Sequence, residues 1–468
     1  MAEVRQAAKS ATVNPLKMSQ PLGASYAFLG MDKCMPVMHG SQGCTSFGLV
    51  VLVRHFREAI PLQTTAMNEV STILGGLENI EKAVLNIRTR AKPALIGICS
   101  TGLTETKGDD VDGFLALICR KHPELEDTAI VYVSTPDYLG AFQDGWAKAV
   151  QAIVRARVRP LGLRRPRQVN VLPGCHLTPA DVEELREIIE AFGLQPIVLP
   201  DVSGSLDGHM SDEFSPTTMG GTTLAQLADS AASVATIAIG EQMRLAAAEI
   251  ERLAGVPFRV FDRLTGLDAN DQLMSYLSDL ASVEVPAKYI RQRSQLQDAM
   301  LDGHFYFGGK RVAVGAEPDL LHALGMWLVE MGAELACAIT TTQSPVLAQL
   351  PVHEVLLGDL EDLEAGARDC DLMITHSHGR QAAERLRIPF HRAGMPMFDR
   401  LGAGHQLSVG YRGTRDLVFT IGNLFLAAGH PAAADSWALP EQTLAAVAEA
   451  GCTGAVATPH HTDCMTTE

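Results

Sequence analysis

The chain has 468 residues, 47% of them hydrophobic and 20% charged, a globular balance that at ~150 residues per domain allows about three cores. A formal charge of −16 argues against a broad nucleic-acid-binding surface, which needs clustered Lys and Arg to displace counterions. No window reaches the ~18 uninterrupted apolar residues of a membrane span, and residues 1–17 lack the apolar run of a secretory signal.

The chain therefore reads as cytoplasmic, with neither membrane nor nucleic acid among its partners. Its nine cysteines, at positions 34, 44, 99, 119, 175, 337, 370, 452 and 464, are odd in number and sparse, which fits a reducing compartment.

In chain order the first informative stretch is His39-Gly40-Ser41-Gln42-Gly43-Cys44. It places a cysteine at the end of a glycine-bearing turn, where an apolar-periodic helix over residues 45–58 is expected to begin, with Phe47, Val51 and Phe56 among its apolar positions. Gly40 and Gly43 are expected to supply φ > 0 and a close backbone approach to a bulky anion. The helix would aim free N–H groups and its positive dipole end at the sulfur, favouring a negative ligand set. A buried, inert cysteine after an ordinary turn is the plainer alternative.

Beyond that loop, short strand-like runs alternate with helical patterns in three blocks. The first holds a helix over 76–90, a strand at 94–98, a helix over 109–121, a strand at 129–133 and a helix over 140–154. The Arg-rich segment 155–167, with Pro160 and Pro166, breaks the pattern and marks a boundary. The second block runs through a strand at 168–172, a helix over 179–192 capped by Thr178, and strands at 196–199, 235–239 and near 258–260, with a helix over 241–254. Two helices within 270–302 link it to the third block, which shows strands at 310–314, 334–340 and 372–375 and a helix over 318–331. The fold class expected is α/β, with three Rossmann-like domains of parallel sheets flanked by helices: 1–160, 161–303 and 304–468, the last with a C-terminal helix and tail.

Several turns after strands carry small or polar residues where such folds bind ligands: Cys99-Ser100-Thr101-Gly102, Pro173-Gly174-Cys175-His176, Gly315-Ala316-Glu317 and His376-Ser377-His378-Gly379. None matches G-x-G-x-x-G or a P-loop, so a dinucleotide or nucleoside triphosphate lacks its phosphate cradle. There is no C-x-x-C and no zinc-spaced Cys/His set. Cys99 reads as core filling, Cys175 beside His176 as a weak candidate nucleophile, and His376 with His378 as caps facing solvent. Cys34 stands ten residues before Cys44, a poor chelate spacing, while Cys452, Cys464 and His460-His461 read as a bystander tail. A four-iron cluster wants about four thiolates. If Cys44 is a ligand, the others come from distant cysteines of this chain or from another polypeptide.

A family resemblance rests on Asn14-Pro15-Leu16-Lys17, Ser19-Gln20-Pro21-Leu22-Gly23-Ala24, Met35 through Cys44, Arg54-His55-Phe56-Arg57-Glu58, Glu105-Thr106-Lys107-Gly108-Asp109-Asp110, Thr135-Pro136, Gly145-Trp146 and Gly220-Gly221-Thr222-Thr223. With these the chain resembles the beta-type chains of the nitrogenase component 1 superfamily, and within it the NifN-type scaffold chains on which the iron–molybdenum cofactor is matured. The catalytic beta chains use three cysteines at each eight-iron cluster. Here the matching positions are Ser19, Cys44 and Gly102, so only one thiolate remains, and a neutral Ser19 hydroxyl is a poor iron ligand.

The resemblance implies a [4Fe-4S] cluster shared with a NifE-type alpha-like partner in an α2β2 heterotetramer, with Cys44 as metal ligand and Gly40 and Gly43 shaping its loop. It implies further that the iron–molybdenum cofactor precursor is held mainly by the partner, that a NifB-type protein supplies it, and that the nitrogenase Fe protein docks near the Cys44 and Thr101 loops. No catalytic residue is implied in this chain. The alternatives are an electron-transferring subunit, either of nitrogenase or of a light-independent protochlorophyllide or chlorophyllide reductase, and a metal-free sugar- or nucleotide-binding protein.

Overall fold

The alternation of short apolar runs and helical segments resolves into three parallel sheets in a computed structural model, which describes residues 2–9, 12–210 and 213–429. The first stretch of chain runs β1 (Glu3–Gln6), α1 (Gln20–Leu29), β2 (Cys34–His39), α2 (Gln42–Phe56), β3 (Gln63–Thr64), α3 (Glu69–Leu74), α4 (Leu77–Ala91), β4 (Leu95–Ser100), α5 (Gly102–Lys107), α6 (Val111–Lys121), β5 (Ala129–Val133) and α7 (Phe142–Arg157). The second runs β6 (Gln168–Leu172), α8 (Pro179–Ala191), β7 (Gln195–Val198), α9 (Leu224–Asp229), β8 (Ala235–Ile239), α10 (Arg244–Ala254) and β9 (Phe258–Phe261), then α11 (Leu267–Ala281) and α12 (Ala287–Phe307). The third runs β10 (Arg311–Ala316), α13 (Pro318–Glu330), β11 (Glu334–Thr340), β12 (Glu354–Leu357), α14 (Leu360–Gly366), β13 (Leu372–Thr375), α15 (Arg380–Leu386), β14 (Phe390–Arg392) and α16 (Gly410–Gly429).

Strand orders are β3-β2-β4-β5, β7-β6-β8-β9 and β1-β12-β11-β10-β13-β14. In each sheet the winding reverses once, between β2 and β4, β6 and β8, and β10 and β13. At such a reversal the two following connections leave on opposite faces, opening a crevice at the strands' carboxyl ends. Those three crevices position every candidate group discussed below.

Strands 129–133, 168–172, 235–239, 334–340 and 372–375 lie where the sequence pattern puts them, because Val, Ile and Ala runs covered on both faces leave little alternative. Thr178 caps α8 through its side chain, accepting from Asp181 N, as expected. β1 is a surprise: its polar residues pair in parallel with β12 from Glu3 against Glu354 to Gln6 against Leu357, so the first strand belongs to the third sheet.

Packing is tightest where α1 crosses α7. All ten residues of α1 are buried, and two glycines let the backbones touch. A Cβ on Gly23 would lie 1.9 Å from Phe142 O, and one on Gly145 would lie 1.9 Å from Gln20 O. Tyr26 fills the flank, its ring 4.7 Å from Trp146 and 5.8 Å from Phe142 between centroids. The Trp146 indole donates to Pro173 O at 3.0 Å, tying α7 to the loop after β6.

Helix α2 is fixed at its far end by the segment after β14. Met397 N donates to His55 Nδ1 at 2.9 Å, Arg57 Nη2 donates to Phe398 O at 3.1 Å, and the Arg54 guanidinium lies 4.4 Å over the Phe398 ring. Next to them, Asp399 accepts from Arg392 Nε at 3.0 Å and Nη2 at 2.7 Å. Burial alone would raise the Asp399 carboxyl, but the Arg392 and Ser377 hydrogen bonds outweigh it and hold the group down to about 2. A carboxylate depressed in the folded state adds stability that is complete above its ordinary range and is lost as pH falls through that value. The expected result is that Asp399→Asn flattens the fall in thermal midpoint between about pH 4 and pH 2, measured by circular dichroism.

Among the described residues no helix is long and apolar enough to cross a membrane.

Candidate functional site

Cys44 sits at the crevice of the first sheet. β2 ends at His39 and its neighbour β4 at Ser100, in register with each other, so the loops leading to α2 and α5 emerge side by side. The helix starts earlier than its apolar period suggests. Ser41 has extended backbone and serves as N-cap, making Gln42 the first helical residue and Cys44 the third. The sulfur is therefore inside the first turn, among N–H groups with no partner in the helix. It is exposed, and Ser41 Oγ lies 3.4 Å from Sγ. Phe47, expected on the buried side, is 64% exposed, and Val50 is 51% exposed. Cys44 is therefore not the buried cysteine of the plainer alternative.

The two loop glycines do not work as expected. Neither Gly40 nor Gly43 has positive φ, because the extended Ser41 makes the turn. Gly40 is needed for closeness to protein rather than to an anion: a Cβ there would lie 2.3 Å from Thr101 Oγ1. Gly43 lies within α2, and the nearest atom to its added Cβ is Ser41 Oγ at 3.9 Å. Gly40→Ala is expected to cost about 1–3 kcal/mol through overpacking. Gly43→Ala is expected to be neutral or to stabilise by up to about 1 kcal/mol, a contrast that thermal unfolding of the two variants checks.

Beneath the loop lies a polar buckle that spacing did not reveal. His39 O accepts from Thr101 Oγ1 at 3.0 Å and Thr104 Oγ1 at 3.1 Å, joining the Cys44 loop to α5. Thr65 Oγ1 accepts from Gly40 N at 3.2 Å and lies 2.9 Å from His39 Nδ1. The fully buried His39 ring has Nε2 3.4 Å from Asp109 Oδ2, and Asp109 pairs with Lys107 at 2.8 Å. Burial lowers the His39 pKa, with Asp109 opposing. The only sequence signal for this buckle was the run of hydroxyl residues after each strand.

Ser19 stands as N-cap of α1 with no side-chain cap bond. Gly102 opens α5, its N–H donating to Asp137 Oδ2 at 3.1 Å. Cys34 begins the strand that His39 ends, roughly 17 Å away at ~3.3 Å per residue, so no loop folds it back toward Cys44. Cys99 is core filling as expected: fully buried, with burial pushing its thiol up to about 12.

The other expected candidates gather at the facing crevices of the second and third sheets. Cys175 and His176 follow β6, Glu317 follows β10 and His376 follows β13. Burial pushes the Cys175 thiol well above its ordinary value, which removes its case as a nucleophile. Burial also moves Glu317 up to about 8, Asp319 up to about 6 and His176 down to about 4. His376 caps the turn after it, accepting from His378 N at 3.4 Å, but it is buried rather than solvent-facing, with Nε2 donating to Leu16 O at 3.0 Å. Among the described residues no three His, Cys, Asp or Glu side chains converge to hold a metal ion. Cys452, Cys464, His460 and His461 lie outside the described residues.

The family described as nitrogenase component 1 type oxidoreductase matches residues 19–426. The nitrogenase iron-molybdenum cofactor biosynthesis protein NifN of Bradyrhizobium diazoefficiens is 60% identical, over 91% of this chain and 92% of its own. The protein of the same name from a Nostoc species is 53% identical, over 91% and 96%. A solved structure titled nitrogenase Cp1 at pH 6.5 superimposes with a TM-score of 0.87 and 34% identity, covering 92% of this chain and 96% of its own. With this match along the chain and three sheets arranged as in that structure, the chain belongs to the nitrogenase component 1 family and groups within it with the NifN proteins.

Proposed function

We propose that this chain is a cytoplasmic scaffold subunit on which the nitrogenase iron–molybdenum cofactor is matured, and that Cys44 gives one thiolate to a [4Fe-4S] cluster shared with a NifE-type alpha-like partner in an α2β2 heterotetramer. The observation that carries this reading is the exposed thiol on the first turn of α2, flanked by exposed Phe47 and Val50, in a chain whose described residues bring no three His, Cys, Asp or Glu side chains together to hold a metal. One thiolate at an apolar surface suits a cluster completed across a subunit boundary and does not suit a cluster built within one chain. When bound, such a cluster supplies a one-electron relay.

The residues of this chain hold and tune that position. Cys44 stands on the first turn of α2, the positive end of the helix dipole, which suits a negative ligand set. Gly40 lets the loop seat against Thr101, and Gly43 leaves the sulfur's flank open. The short α3 beside α5 has no buried residue and exposes Val70, Ile73 and Leu74 at 62%, 81% and 80%. That apolar surface is where we place docking of the nitrogenase Fe protein. The precursor would come from a NifB-type protein and be held mainly by the partner, leaving this chain no catalytic residue of its own. We take the domains as 1–160, 161–303 and 304–468, with β1 as the exception, since it joins the third sheet.

The test is iron counting on the subunit pair, co-expressed with the partner, purified without oxygen and freed of precursor. Iron for one four-iron cluster per pair is expected. About eight irons would favour an electron-transferring nitrogenase-type subunit, and no iron would overturn the cluster altogether.

A further inference from the structure

We propose that Thr101 and Thr104 are positioning residues for the Cys44 thiolate, their hydroxyls jointly holding the carbonyl of His39 and so fixing where the sulfur meets the shared cluster; this rests on the shared-cluster reading. The need for such a hold follows from exposure. Residues 42–44 are exposed and Ser41 is half-buried, so packing does not fix the turn that carries the sulfur. Thr45 is the first residue of α2 to be buried. A ligand on the neighbouring loop does not share the task either, because Gly102, at the start of α5, has no donor side chain.

The hold acts at the end of β2, just before the turn. The His39 carbonyl oxygen accepts from Thr101 Oγ1 at 3.0 Å and from Thr104 Oγ1 at 3.1 Å, which fills both of its lone pairs. Both threonines are buried, at 1% and 2% exposure, so water does not replace either bond. Thr104 Oγ1 also accepts from Thr101 N at 3.2 Å, joining the two side chains into one unit.

The threonines are themselves tied down. Thr135 N donates to Ser100 Oγ and Thr135 Oγ1 donates to Ser100 O, both at 2.7 Å, while Gly102 N donates to Asp137 Oδ2 at 3.1 Å. The ends of β5, β4 and β2 are thus stitched in sequence, and the last stitch lies one short turn before the sulfur. On the other flank, Gly40 N donates to Thr65 Oγ1 at 3.2 Å and Met67 N donates to Gly40 O at 2.8 Å. Those bonds draw the loop toward β3, and the threonine hydroxyls draw it toward α5. Without the hydroxyls a buried carbonyl loses both partners and the loop is free to move off α5. Groups that orient a ligand in this way govern how firmly its metal is kept.

Release of cluster iron to a chelator tests this on the subunit pair, purified without oxygen and freed of precursor, with electron paramagnetic resonance of the reduced cluster alongside and thermal unfolding as the check on folding. The combined variant Thr101→Val/Thr104→Val nearly keeps the side-chain shapes and removes both hydroxyls. It is expected to release iron about tenfold faster or more and to displace the four-iron signal. Thr101→Ser/Thr104→Ser keeps the hydroxyls and is expected to restore both. Each single valine variant is expected to move the same way by less, and these decide the matter if the combined variant fails to fold. Unchanged release and signal in the folded valine variants, or a serine pair that behaves like the valine pair, overturns the proposal and leaves the cluster reading standing. An unaltered pair without the four-iron signal overturns the cluster reading and this proposal with it.

Discussion

Cys44→Ala is expected to abolish or convert the shared cluster while leaving the chain folded. The side chain is exposed, with Ser41 Oγ 3.4 Å from its sulfur, so its loss changes stability by no more than about 0.5 kcal/mol. Its effect on iron is large, because no other cysteine of the first sheet can replace it: Cys34 and Cys99 are fully buried. Electron paramagnetic resonance of the reduced pair should lose the four-iron signal or change to that of a cluster missing one iron. Loss of folded protein, or an unchanged signal, would show that the sulfur is structural or irrelevant.

Gly145→Ala and Gly23→Ala are expected to be among the most damaging single-methyl changes in the fold. Each puts a carbon 1.9 Å from a backbone oxygen of the opposing helix, and a backbone cannot rotate away as a side chain can. Relief requires α1 and α7 to separate, which loosens the contacts of Tyr26 with Phe142 and Trp146 and the Trp146 bond to Pro173. Overpacking of this kind costs about 3 kcal/mol or more. Because one separation relieves both clashes, the double variant should fall well short of the sum. Chemical denaturation of the three variants checks both points, and a loss under about 1 kcal/mol in either single variant would contradict the crossing.

Legibility from sequence followed burial. Strands covered on both faces, such as β6 and β8, declared themselves through unbroken apolar runs. Helix α1 did not, since all ten of its residues are buried and no polar stripe marks a period. β1 was invisible because Glu3–Gln6 is polar and its partner, Glu354–Leu357, lies at the other end of the chain. At the site, Cys44 could be singled out by its turn, but the φ > 0 reading of Gly40 and Gly43 failed because glycine serves close packing as well as left-handed backbone. His39, Thr101 and Thr104 carried no spacing signal, since a hydroxyl bond to a carbonyl across two loops depends on strand register. Glu317 could be named with its turn, whereas Asp319 became noticeable only when the third sheet was brought to face the second.

The anchoring of α2 at its far end has a mechanical consequence. Fifteen helical residues span roughly 22 Å, with the sulfur on the first turn and His55 on the last held by the segment that follows β14. The helix is a lever, and a tilt of about 5° about the held end would carry the sulfur roughly 2 Å over that length. A substitution at Met397 or Phe398 would thus reach the Cys44 sulfur by geometry, through a displacement at the opposite tip.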